Sequence, residues 1–206
     1  MSKIDDYDSE DENLNIETEI HSNQHSILNK IISIQENFYT KNKKNNFFKK
    51  SQKIDCAKEI CKKIDINEMI AESICVINQT NKIYIDYPIF KLYANPDNFD
   101  IIITHIIDTC RYLITYYKNF EVYINLQGLT VSAVERYKDI IKKYVSCCLN
   151  ENTDFALLMT KLHILNSPSV IEMIVKIVKP MIDPNVVEKV CFYKKEESLQ
   201  IIKNLK

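Results

Sequence analysis

The stretch KLHILNSPSV, residues 161–170, decides how the second half of this chain is read. Leu162, Ile164 and Leu165 belong to a hydrophobic run over 159–165 that reads as a buried strand. Pro168 cannot donate a ladder hydrogen bond and pushes Ser167 away from helical angles, whereas proline suits the first turn of a helix. The strand must therefore break at Asn-Ser-Pro into a helix predicted over 169–179. Beyond the break Glu172, Lys176, Lys179 and Asp183 form one charged stripe, at spacings of four, three and four. Val170, Ile171, Met173, Ile174, Val175, Ile177 and Val178 make the rest apolar. Leaving that surface in water costs about 25 cal/mol per Å², so it must face a core, a ligand or a membrane.

The segments upstream alternate between strand and helix. FEVYINLQGL (120–129) is predicted as a strand ending at the sole glycine, Gly128, and TVSAVERYKDIIKKYVSCCL as the amphipathic helix after it. Strand, helix, strand implies a parallel pair. A long helix, predicted from Pro96 and Asp97 to about Lys118, is apolar over much of its circumference and is expected to be largely buried. ICVINQTNKIYIDYPIF (74–90) gives two β-rich runs around Asn78-Gln79-Thr80-Asn81, a hairpin. Residues 54–74 read as helical, with Ile54, Ala57, Ile60, Cys61 and Ile64 on one side. Downstream come a Pro180–Pro184 corner, a short helix, the strand VCFY (190–193) and a last helix to Leu205. This is an α/β layer fold with a mixed sheet.

Three segments in this order resemble the CRAL-TRIO family, that of the phosphatidylinositol transfer proteins. VYINLQGLTVS (122–132) is similar to its strand, glycine and polar helix start, KLHILNSP (161–168) to its strand closing in Asn-x-Pro, and KPMIDPNVVEKVCFY (179–193) to its Lys-Pro turn, helix and strand. The resemblance implies a mixed β-sheet with flanking helices and a helical gate over an apolar pocket that holds one lipid. Ile171, Ile174, Val175 and Val178 would then face the ligand from the gate, and His163 from the sheet. The lysine that contacts the inositol phosphate in phosphatidylinositol-binding members matches Lys189. The acidic residue and the threonine that accompany it match Leu157 and Val186, neither of which hydrogen-bonds a headgroup through its side chain. The resemblance thus implies a lipid or other hydrophobic ligand that is not phosphatidylinositol, or else a degenerate module that binds protein instead.

With 206 residues, 46% of them hydrophobic, the chain has room for one domain and a tail. A net charge of -1 provides no global basic field, so a nucleic-acid partner is not expected. Residues 1–19 hold eight acids against Lys3, a self-repelling run read as an unstructured tail and a contact for a protein partner. Residues 41–63 hold nine lysines against Asp55 and Glu59. Between them Ile27, Ile31, Ile34 and Phe38 mark an amphipathic helix, and 40–53 reads as a Lys/Asn-rich linker. The expected division is 1–53 for tail, helix and linker, and 54–206 for the CRAL-TRIO-like domain. Phe47, Phe48, Lys49 and Lys50 are candidates for contact with an anionic membrane, where each cation contributes about 1 kcal/mol; a solvated linker or a localisation signal also fits this composition.

No membrane span and no leader is read in the chain, and seven cysteines without CxxC spacing suit reduced thiols, so a cytoplasmic protein, peripheral to membranes at most, is expected. His21 and His25 with Cys56 and Cys61 have poor spacing for zinc, and no metal site is expected. His105, among isoleucines, reads as a buried, hydrogen-bonded histidine, and Cys147-Cys148 as two small apolar residues. One glycine excludes phosphate-binding and dinucleotide fingerprints, and no nucleophile elbow or HExxH occurs, so neither catalysis nor a cofactor is expected. Arg111 and Arg136 are the only arginines.

Overall fold

A computed structural model of the chain describes residues 27–42, 49–149 and 154–205. It divides into two compact units, Met1–Lys43 and Lys44–Lys206. In the first, residues 27–41 form helix α1, which carries Ile27, Ile31, Ile34 and Phe38; the acidic segment 1–19 and the pair His21 and His25 lie outside the described residues.

The second unit opens with α2 (Lys49–Cys61) and α3 (Ile66–Ser73), followed by the hairpin β1 (Ile74–Val76) and β2 (Lys82–Asp86). It continues with α4 (Tyr87–Tyr93), α5 (Phe99–Tyr117), β3 (Phe120–Asn125) and α6 (Val131–Leu149). Then come α7 (Phe155–Leu158), β4 (Met159–Leu165), α8 (Ile171–Val178), α9 (Pro184–Val187), β5 (Val190–Phe192) and α10 (Lys195–Leu205). The strands lie in chain order in one sheet. β1 is antiparallel to β2, and β2, β3, β4 and β5 run parallel, which is the mixed α/β architecture expected from the alternation of periods.

Three local readings are corrected. Residues 49–53, read as linker, are the first turn and more of α2. The second run of the hairpin stops at Asp86, because Pro88 lacks the N–H that a ladder needs but is tolerated in the first turn of α4. Helix α5 is buried only on one side, through Phe99, Ile102, Ile103, Ile107, Cys110 and Leu113. Tyr112 and Tyr116 are 51% and 68% exposed, so apolar character all round does not bury this helix all round.

Register sorts the sheet into two faces. Ile83, Val122, Leu162 and Val190 stand side by side, as do Ile85, Ile124, Ile164 and Phe192, and make one face wholly apolar. Right-handed crossovers between successive parallel strands place α5, α6 and α8 on a single face. The opposite face carries Tyr84, Tyr123, His163 and Cys191 in one row. There α10 packs, with Leu205 against Tyr123 and Leu165 and with Ile201 and Ile202 beside them.

The break at Asn-Ser-Pro has a defined geometry. Asn166 takes the left-handed conformation, φ 51°, which asparagine tolerates better than most residues. Its side-chain amide donates to Asn125 Oδ1 at 2.8 Å, and its N–H to Ser198 Oγ of α10 at 2.7 Å. Ser167 N–H bonds the Tyr193 carbonyl at 3.0 Å. Asn166 thereby joins the ends of β3 and β4 to α10 as the chain leaves for α8. Asn166→Ala is expected to lower the unfolding free energy by about 2–3 kcal/mol, combining the left-handed cost with one lost amide bond. Asn166→Gly should recover the backbone part; urea denaturation of the three proteins measures both.

Candidate functional site

The residues that sequence places in a ligand site fall into three groups. Lys189, Leu157 and Val186 come together where β4 and β5 begin. Lys189 lies just before β5, and its backbone is tied to both neighbours: its N–H bonds the Val186 carbonyl and its carbonyl accepts from Leu162 N–H, each at 3.0 Å. Its ammonium donates to the carbonyls of Ala156 at 2.7 Å and Leu157 at 3.1 Å. These are end carbonyls of the short helix α7, left without helical partners, so the lysine serves as their cap. The Leu157 side chain is 60% exposed and Val186 half-buried. The ammonium is thus met by neutral backbone oxygens where a carboxylate would stand.

His163 forms the second group, on the α10 face. Its ring stacks on Tyr123, with centroids 4.1 Å apart and planes 8° from parallel, and Tyr193 lies on at 5.6 Å. Nδ1 is 3.0 Å from the Tyr193 hydroxyl. Nε2 lies 3.4 Å from Glu121 Oε2, close enough for ion pairing once protonated, but it makes no hydrogen bond. Tyr123 donates its hydroxyl to the same carboxylate oxygen at 2.9 Å. Burial is the larger influence and holds the imidazole below its ordinary pKa, assisted by Lys161 and Lys82 and opposed by Glu121.

The third group is α8, whose packing partner is α6. Ile174 is buried, Ile171, Val175 and Val178 are half-buried, and Met173 is 54% exposed. No side chain caps its N-terminus. The helix is apolar beyond what its contacts cover. Beneath the crossover helices the sheet floor is already closed, with Ile83 fully buried and Val122 and Ile164 9% and 8% exposed. Tyr87 and Phe90 of α4 meet Tyr137 of α6 in edge-on ring contacts, and Phe90 meets Tyr93 in the same way.

The family profile described as the CRAL/TRIO domain matches residues 91–205, more than half of the chain. The chain belongs to the CRAL-TRIO family. No curated protein matches it. The CRAL-TRIO match runs from Lys91 through α10 and takes in all three segments that carry the resemblance in sequence. It also includes Leu157, His163, α8, Val186 and Lys189. Members of the CRAL-TRIO family bind lipids or small hydrophobic molecules.

His163 does not share a face with Leu162 and Ile164, because neighbours on a strand alternate. Its partners Glu121, Tyr123 and Tyr193 were missed in sequence, although the alternation in FEVYIN already put Glu121 and Tyr123 on one face. Phe47 and Phe48 lie outside the described residues; Lys49 opens α2 and Lys50 is exposed on it. Among the described residues no group of three or more His, Cys, Asp or Glu is placed to hold a metal, and no helix is long and apolar enough to cross a membrane. His105, half-buried, bonds the Ile74 carbonyl through Nε2 at 3.1 Å.

The folded state keeps the His163 pKa below 6.5, so as pH falls the unfolded chain takes up this proton first. The stability contributed by neutral His163 is present at neutral pH and is lost as pH falls through about 6.5, levelling off below the folded pKa. His163→Gln should remove this component of the pH slope, as read by urea midpoints between pH 5 and 7.5.

Proposed function

We propose that this CRAL-TRIO protein is a non-enzymatic carrier or sensor of a lipid or small hydrophobic ligand other than phosphatidylinositol, held between the sheet and α8. The observation that carries this reading is the state of Lys189. Its ammonium is partnered by the Ala156 and Leu157 carbonyls, and Leu157 and Val186 present only carbon where inositol hydroxyls would need donors and acceptors. A buried hydroxyl without a partner costs about 1–3 kcal/mol, which penalises a polyol headgroup and leaves an apolar ligand unaffected. The incompletely covered apolar surface of α8 supports its role as the movable wall. Seven cysteines outside any disulfide support a reducing, cytoplasmic setting.

A second reading, a protein-interaction module that has lost its lipid, is favoured by the closed sheet floor and by the aromatic packing of Tyr87, Phe90, Tyr93 and Tyr137. Mass spectrometry of organic extracts from detergent-free protein separates the two. The first reading expects one stoichiometric class of apolar lipid, a rise in Tm on reloading delipidated protein, and loss of that rise in Val175→Asp. Absence of any co-purifying or stabilising lipid would move the assignment to the interaction module. Selective uptake of phosphatidylinositol would overturn the role given to Leu157 and Val186.

A further inference from the structure

Lys91, in the last turn of α4, and Arg136, in the second turn of α6, lie over two neighbouring buried tyrosines. Lys91 Nζ lies 5.6 Å from the centroid of Tyr87, and Arg136 Cζ lies 4.7 Å from that of Tyr137. The two rings are 6.2 Å apart and nearly perpendicular. The Arg136 guanidinium also adjoins the Tyr87 hydroxyl, where it opposes the effect of burial on the phenol. Both cations therefore gather on Tyr87.

Each is half-buried, and among the described residues neither is paired with a carboxylate. Arg136 Nε is buried and without a hydrogen-bond partner. A partly desolvated cation without a counter-charge is unfavourable, and a ring face offsets this only in part while leaving the N–H unsatisfied.

The backbone beside them is open. Gly128, exposed and at φ 75°, passes so close that a Cβ built on it would stand 3.6 Å from Lys91 Nζ. Helix α6 starts three residues later, with no acid in its first turn, so its dipole adds to the positive potential.

We infer that Lys91, Arg136 and the Gly128 turn form a binding site for a phosphate monoester, carried on a lipid headgroup or free in solution. A guanidinium offers a planar pair of donors and an ammonium a point charge, and together they match the charge of -1.5 to -2 that a monoester carries near neutral pH. A carboxylate would neutralise only one of them. The turn follows β3 and α4 follows β2, so the site lies at the same end of the parallel strands as the Asn166 corner that leads into α8. It uses none of the residues assigned to the apolar ligand.

The test takes the full chain and two probes at constant ionic strength: inorganic phosphate, read by thermal shift, and phosphatidylcholine vesicles with or without phosphatidic acid, read by co-sedimentation. Lys91→Gln and Arg136→Gln should each weaken the responding probe by about tenfold or more. Arg136→Lys, which keeps the charge and the fold but not the fork, should fall between them and the parent chain. Lys142→Gln, an exposed lysine of the same helix, should bind as the parent does. Stabilisation by phosphate, with competition against vesicles, supports the site and names a free phosphate compound. Binding to phosphatidic-acid vesicles without competition supports it and names a headgroup. Equal loss in Lys142→Gln, or no response of the parent chain to either probe, overturns it.

Discussion

The amide of Asn166 holds the parallel sheet together at the point where the chain must leave it. Parallel strands that follow one another in order need a crossover after each, and every crossover departs from the same edge. At β4 that departure is made by one residue in a left-handed conformation, bonded sideways to Asn125 and through its N–H to Ser198. The sideways bond joins neighbouring strand ends, and the bond to Ser198 ties the corner to α10 on the other face. Pro168 then ensures that the ladder cannot continue. Both faces of the sheet depend on this corner: α8 leaves from it and α10 is anchored on it.

Charge is treated differently at three polar places among the described residues. Lys189 is satisfied by backbone oxygens at the end of α7 and no longer needs an anion. His163 is kept neutral by burial between two tyrosine rings, with Glu121 close by but not bonded to it. Among the described residues Lys91 and Arg136 are not paired with a carboxylate, and they rest on aromatic rings. The lysine that the resemblance matches to a phosphatidylinositol headgroup contact is thus bonded to two backbone oxygens, and Lys91 and Arg136 lie at the opposite end of the strands. On the two proposals made above, the apolar ligand and the phosphate are held by separate sets of residues.

Much of this architecture is legible in the chain itself. The strand 159–165, the break at Asn-Ser-Pro, the helix after it and the long helix ending near Lys118 are written in period and in proline placement, which act over a few residues. Leu157 and Val186, which the resemblance matches to the family's polar headgroup contacts, are legible there as apolar residues. What distance in sequence conceals is different in kind. YPIFKLY has a strand's composition and became α4, because Pro88 and packing against α2 and α3 outweigh the propensity of its aromatic residues.

Sequence by itself determined most of the order of elements and the parallel strand pairing, which rest on local backbone rules and hydrophobic periodicity, and membership of the CRAL-TRIO family, which rests on the likeness of three segments to the family pattern. Tertiary structure alone decided which face His163 occupies, that the Lys189 ammonium caps α7, and that the Arg136 guanidinium reaches the hydroxyl of Tyr87. Those are contacts between residues some 30 to 50 positions apart in the chain. Their energies depend on register and burial, and neither is a property of any single stretch.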